Sequence, residues 1–299
     1  MRKKSISFFS LPAILTAIAS LFIFCSCQSP QGKTSINYPS PLPDTTAILL
    51  LPGIVSKEGL DFNAAFSPDG NQFYFSRSGH GKYIIMESSF KNGKWNEPEI
   101  SSAFDTMYSN TDPFFTEDGH LYFISNRPAN ATDTMKDYDI YKMVKQGDRW
   151  NTPERLHAIN SDSTEYYVSV ARNGNIYFAS YRDGNLDLYM SKKEYDLYLQ
   201  PVNLGHLVNS SSDEHDPLIA PDERYLIFTS TRPGGAGEAD LYISFKQDNQ
   251  WQAPQNMGVK INTAMYEYCP NLSPDGKYFL FSSEMDVKWI STEILKRYR

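Results

Sequence analysis

Ser67-Pro68-Asp69-Gly70 is a tight turn, and the chain writes it five times. It returns as Thr116-Glu117-Asp118-Gly119, Arg172-Asn173-Gly174, Ala220-Pro221-Asp222-Glu223 and Ser273-Pro274-Asp275-Gly276. Pro presets φ at the first central position, Asp or Asn bonds its own backbone, and Gly accepts a positive φ. The third turn position falls at residues 69, 118, 173, 222 and 275, in steps of 49, 55, 49 and 53 residues. One such turn says little, but five at near-constant spacing are a repeat.

The flanks repeat as well. After each turn comes an apolar, aromatic run: Gln72-Phe73-Tyr74-Phe75, Leu121-Tyr122-Phe123, Ile176-Tyr177-Phe178, Leu226-Ile227-Phe228 and Phe279-Leu280-Phe281. These read as strands. Three continue as Phe-x-Ser-x-Arg, ending at Arg127, Arg182 and Arg232. A polar loop leads to Asp139-Ile140-Tyr141, Asp187-Leu188-Tyr189 or Asp240-Leu241-Tyr242. A Trp-x-x-Pro follows (Trp95, Trp150, Trp251; Tyr198-Leu199 stands in its place in the third repeat), and units close on Ile159-Asn160, Val208-Asn209 or Ile261-Asn262. Each unit offers about four short strands and no helical period, which fits a propeller blade. The last repeat runs out after Trp289-Ile290, one strand short, while Ile48-Leu49-Leu50-Leu51 precedes the first. The expectation is an all-β, five-bladed propeller in which residues 46–54 supply the missing outer strand of the last blade; a sixth blade is the alternative. Such closure removes exposed edges.

The S-P-D-G turn, F-x-S-x-R strand and D-L-Y strand resemble the TolB-type, WD40-like Pro-Asp repeat propellers, over roughly residues 46–299. The ending Asp286-Val287-Lys288-Trp289-Ile290-Ser291 resembles that of small Bacteroidetes lipoproteins of this group. The resemblance implies a β-propeller that binds a protein or ligand in the bacterial envelope, often without a known activity. The first repeat departs from the pattern at Ser76-Arg77 and has no Asp before Ile84-Ile85, and the third lacks the turn Pro.

Before the repeats lies a leader. Arg2, Lys3 and Lys4 precede an apolar stretch from Ile6 to Phe24, in the order of a secretory signal. An uncleaved membrane helix is the alternative, since the stretch is nearly long enough to span. Cys25-Ser26-Cys27-Gln28 resembles a bacterial lipoprotein cleavage site, with Phe24 where Leu is more usual. That reading makes 1–26 the signal and Cys27 the site of lipid attachment, holding the chain to a membrane through acyl chains. The Ser- and Pro-rich stretch 27–45 reads as a flexible tether to a propeller over 46–299. The expected place is the cell envelope, on the outer membrane, with the periplasmic side favoured because no acidic run follows Cys27. Removing the three basic residues takes the net charge from −7 to −10, which argues against nucleic acid. Only Cys269 remains beyond the leader, so no internal disulfide is available.

Eight residues before each third turn position stand Asp61, Asn110, Glu165, Glu214 and Glu267; six before stand Asn63, Asp112, Tyr167, Asp216 and Cys269. Residues two apart on a strand share a face. A ring of acidic and polar groups is therefore expected at one mouth of the central channel. Asp61, Asp112, Glu165, Glu214, His215, Asp216 and Glu267 are the candidate ligand-binding residues, with Tyr108, Tyr166 and Tyr266 beside them to stack on a sugar or peptide. The competing reading is structural: Arg127, Arg182 and Arg232 are ready partners for repeated carboxylates. Loops 128–137 and 233–239 are candidate recognition rims. No G-x-S-x-G, H-E-x-x-H or clustered Cys/His spacing occurs, so no cofactor or metal is expected. The leading expectation is a non-enzymatic lipoprotein propeller that binds an envelope protein or glycan. The alternatives are a carbohydrate-active enzyme, hydrolase or lyase, using channel carboxylates, and a scaffold in an envelope complex.

Overall fold

The computed structural model describes residues 36–56, 59–79 and 81–298; the signal and Cys27 lie outside the described residues. Five antiparallel sheets follow one another along the chain. Blade one runs Asp61–Phe66, Gln72–Gly79, Lys82–Lys91 and Glu99–Ile100; blade two runs Asn110–Phe115, Leu121–Ser125, Asp139–Met143 and Glu154–Arg155. Blade three runs Glu165–Val170, Ile176–Ser180, Asp187–Ser191 and Val202–Asn203; blade four runs Glu214–Ile219, Tyr225–Ser230, Asp240–Gln247 and Gln255–Asn256. Blade five has Tyr268–Leu272, Tyr278–Ser283 and Asp286–Ser291, and takes Ile48–Leu49 as its outermost strand, with Ile48 opposite Trp289 and Leu49 opposite Lys288. The propeller has five blades and closes on its N-terminal strand, as the repeat implied.

The recurring residues each have a place. The second strands are buried on both faces: Phe73, Phe123, Phe178 and Phe228 are fully buried, as are Tyr74, Tyr122 and Tyr177 on the opposite side. Strands that lie between two layers need apolar groups at every position, so they read as continuous runs. The terminal Asn of three units replaces a strand partner. The side chains of Asn160, Asn209 and Asn262 accept from the backbone N–H of Ile140 (2.7 Å), Leu188 (2.8 Å) and Leu241 (2.9 Å), and donate to the same residues' carbonyls. In the Phe-x-Ser-x-Arg element the guanidinium of Arg182 lies 5.0 Å from the Phe178 ring and 4.9 Å from Tyr189, with Arg232 on Phe228 and Tyr242 in the next blade. Such contacts contribute on the order of 1 kcal/mol each.

Within the stretch read as a tether, Ile36–Asp44 lies along blades one and five at the turn end of the inner strands. Tyr38 packs edge-on against Phe66 and Tyr278, and its hydroxyl donates to Asp275 in the fifth turn. Asn37 donates to Asn71 beside the first turn. The chain thus joins the propeller at the end opposite to where the inner strands begin. Tyr38→Ala should lower stability by about 2 kcal/mol, from lost ring contacts and one hydrogen bond; a urea titration with an unchanged midpoint would contradict that packing.

Candidate functional site

Every inner strand breaks register at the same repeat position. The shifts lie between Phe62 and Ala64, Thr111 and Phe114, Tyr166 and Val168, His215 and Leu218, and Tyr268 and Asn271. At each break sits a non-glycine residue of positive φ: Asn63 (46°), Asp112 (57°), Tyr167 (42°), Asp216 (50°) and Cys269 (51°). These are β-bulges, which re-aim side chains. For Tyr and Cys this backbone is disfavoured, and five in register show that the ring imposes it. The bulge also breaks the rule that residues two apart share a face. The acidic positions expected to form one ring therefore separate into two sets.

The outer set is committed to the protein. Asp61 receives two hydrogen bonds from Arg77, at 2.6 and 2.8 Å. Glu165 accepts from the Ser161 N–H and hydroxyl, the Ser180 hydroxyl and Arg182. Glu214 does the same with Ser210, Ser230 and Arg232, and Glu267 with Thr263 and Ser283. All four are fully buried, and none lines the mouth. Arg127 stands over Tyr108, holding that ring at the blade rather than in the channel.

The inner set builds a cavity of about 310 Å³ at the mouth. Its wall takes one residue per blade from the position between the two sets: Phe62, Thr111, Tyr166, His215 and Tyr268. Tyr83, Tyr138, Tyr181 and Tyr266 extend the aromatic lining, and Asp112, Asp213, Asp216 and Cys269 supply polar groups. The rings meet in two chains: Tyr138 on Tyr166 (6.4 Å) and Tyr166 against Tyr181 (6.0 Å), and Tyr266 against Tyr268 (5.7 Å), Tyr268 on Phe62 (6.0 Å) and Phe62 against Tyr83 (5.4 Å). Tyr167 reaches across to blade five and donates to the Pro270 carbonyl at 2.5 Å. With Asn63, Tyr167 and Cys269 at 1–3% exposure, side chains fill the axis at this level.

Of the candidate residues, the cavity brings together Asp112, His215 and Asp216. His215 is held on both sides: Nδ1 lies 3.1 Å from Asp216, and Nε2 lies 2.7 Å from the Tyr266 hydroxyl. The other Asp216 oxygen accepts from the Cys269 N–H at 3.0 Å and faces its thiol at 3.4 Å. Burial disfavours both charges, but the Asp216–His215 attraction outweighs it. The imidazole is raised and the carboxyl lowered, so each partner favours the charged form of the other. Asp112 goes the other way. Burial first, and the Asp216 charge second, push it up to about 7. Burial drives the Cys269 thiol well up, leaving it a neutral donor.

The sign of the linkage follows. Asp112 has a folded value above the usual unfolded one, so its contribution to stability is full below about pH 4 and is lost as pH rises through 7. Asp112→Asn should therefore gain thermal stability over the natural protein as pH goes from 5 to 8. A constant difference in melting temperature across that range would refute the assignment.

The wall tyrosines beyond Tyr166 and Tyr266 were not apparent in the repeat pattern. Tyr83 is the second residue of its third strand, Tyr138 stands just before one, and Tyr181 lies between the Ser and Arg of its element; those offsets were the available signal.

No family description matches the chain, and no curated protein sequence does. Solved structures do. A protein assigned as TolB from Agrobacterium tumefaciens superposes with a TM-score of 0.51 at 19% identity, covering 76% of this chain and 71% of that one. TolB from Acinetobacter baumannii gives 0.50 at 15%, over 80% of this chain and 56% of that one. A gluconolactonase from Xanthomonas campestris gives 0.50 at 11%, over 76% and 70%. At these identities the likeness is one of fold: the chain is a β-propeller similar to the TolB-like ones.

Proposed function

We propose that this chain is a non-catalytic binding propeller of the cell envelope, anchored through Cys27 and facing the periplasm, which takes a small group of a protein or glycan partner into its tyrosine-lined mouth. The cavity carries the reading. It is concave, mostly aromatic, and furnished with few polar groups, the usual make-up of a recognition site. Tyrosines bring large contact area at little entropic cost. The test is a panel of short peptides and oligosaccharides, followed by tyrosine fluorescence and calorimetry. Tyr166→Ala with Tyr268→Ala should cost any bound ligand about 2–4 kcal/mol, roughly 30- to 1,000-fold. Equal affinity in the double variant would move the site elsewhere.

One observation favours a second reading. The Asp216–His215–Tyr266 chain has the form of an acid–base relay. A carbohydrate lyase or hydrolase would release new reducing ends from a glycan panel, and Tyr266→Phe would stop it; a purely binding protein releases none.

A further inference from the structure

Resting on the mouth cavity as the binding site, we propose that it receives a single organic cation, the guanidinium or ammonium end of a partner protein's Arg or Lys side chain, with Asp112 as its counter-ion and the tyrosine faces as its walls.

The first observation is an oxygen with nothing to do. Asp112 is 6% exposed. Its Oδ1 accepts from the Asn63 side chain at 3.1 Å and the Thr111 hydroxyl at 3.2 Å. No described residue donates to Oδ2, and the residue lines the cavity. A carboxylate so little exposed, with one oxygen facing the cavity and no protein donor, is costly to keep charged. The fold does not require that cost. Blade one meets the same bulge, at φ 46° against 57°, with the neutral Asn63. Asn63 is neutral, keeps its own Oδ1 buried without a partner and does not line the cavity, whereas Asp112 puts a charge there; a charge facing a cavity is used when a complementary charge arrives.

The second observation is the balance of charge around it. Asp213, His215 and Asp216 face the cavity from blade four, and Tyr266, Tyr268 and Cys269 from blade five. Tyr83, Tyr138 and Tyr166 face it from blades one, two and three. The only cation among them is His215, and Asp216 takes up its charge at 3.1 Å. No Lys or Arg is among the described residues of the lining. Asp112 and Asp213 are left uncompensated in a concave, low-dielectric site, where negative potential is focused. The third observation is the wall. Aromatic faces attract guanidinium and ammonium groups, most strongly where water is excluded, and a guanidinium both stacks on rings and donates to a carboxylate. About 310 Å³ suits one long side chain rather than an extended chain of sugars.

Binding and protonation are then linked. The cation meets the charged form of Asp112, which loses its proton near pH 7, so loading expels a proton. A group of that pKa weakens binding about tenfold between pH 8 and pH 6.

The experiment titrates the full-length protein in detergent with Nα-acetyl-arginine amide, its neutral isostere Nα-acetyl-citrulline amide, and methyl β-glucoside. Calorimetry is run at pH 6 and 8, and at pH 7 in two buffers of different ionisation heat. The expected result is a preference of at least tenfold for arginine over citrulline at pH 8, a tenfold loss at pH 6, and proton release at pH 7. Asp112→Asn, which keeps the amide-compatible backbone, should abolish the preference and the pH dependence while melting cooperatively. The buffer comparison on the natural protein stands if that variant does not fold. Equal binding of arginine and citrulline, or arginine binding without proton release, overturns the cation while leaving the cavity as the site. Glucoside binding alone does the same. Failure of all three probes removes both readings.

Discussion

Glu214→Ala should destabilise the propeller by about 3–5 kcal/mol, with Glu165→Ala close behind, and neither should act through ligand binding. Glu214 is fully buried and accepts the Ser210 N–H, the Ser210 and Ser230 hydroxyls and Arg232. Truncation takes the counter-charge from a partly buried guanidinium, which keeps only the Val208 carbonyl and the Ser230 hydroxyl, and leaves the Ser210 N–H without its acceptor, the costly way to break a buried pair. Burial pushes the Glu165 carboxyl up despite four hydrogen bonds, so its site is already under electrostatic load. Glu214→Gln keeps an acceptor oxygen and should lose less, about 1–3 kcal/mol. Changing Glu165, Glu214 and Glu267 together would remove most or all of the stability of an ordinary domain, about 5–15 kcal/mol. Denaturant midpoints settle the matter. A Glu214→Ala protein that melts like the natural one would return these acids to the list of ligand groups.

The contrast between the two sets shows what was legible. Turn spacing, the Phe-x-Ser-x-Arg element and the closing Asn are local patterns with repeated chemistry, so five blades and their closure could be read directly. The same repetition drew attention to Asp61, Glu165, Glu214 and Glu267, which recur because each blade needs the same internal brace. The cavity wall has no common chemistry: Phe62, Thr111, Tyr166, His215 and Tyr268 look unrelated, and only their shared offset from the turn unites them. Repetition marked the scaffold, and variation within the repeat marked the site. The bulges were hidden for a different reason. Positive φ is usually announced by Gly, but here the ring forces it on Asp112, Tyr167 and Cys269, so the period-two rule fails one residue before the sequence gives any sign of it.

Deleting residues up to Leu51 should abolish cooperative folding, because it reopens the ring. The deletion removes Ile48–Leu49 from the edge of Asp286–Ser291, and with it Leu50 and Leu51, which pack with Val287 and Trp289. At about 1.5–3 kcal/mol for each large apolar side chain withdrawn from water, the lost burial alone is on the order of 5 kcal/mol. The Tyr38 contacts with Tyr278 and Trp289 go as well. The loss is larger than its length suggests, since a propeller shares stability around the ring and each blade completes the burial of the next. Blade five would keep its strand Asp286–Ser291 as a bare edge, with the backbone partners of Trp289 and Lys288 exposed to pair with another chain. The truncated protein should therefore associate or melt without a single transition. A peptide of residues 44–54 added in trans should restore a sharp transition at high concentration, by adding the missing strand to that edge. Light scattering and thermal melting, with and without the peptide, decide it. A truncated monomer melting within a few degrees of the full chain would mean that the ring does not depend on its first strand, and that the five sheets hold together by stacking alone.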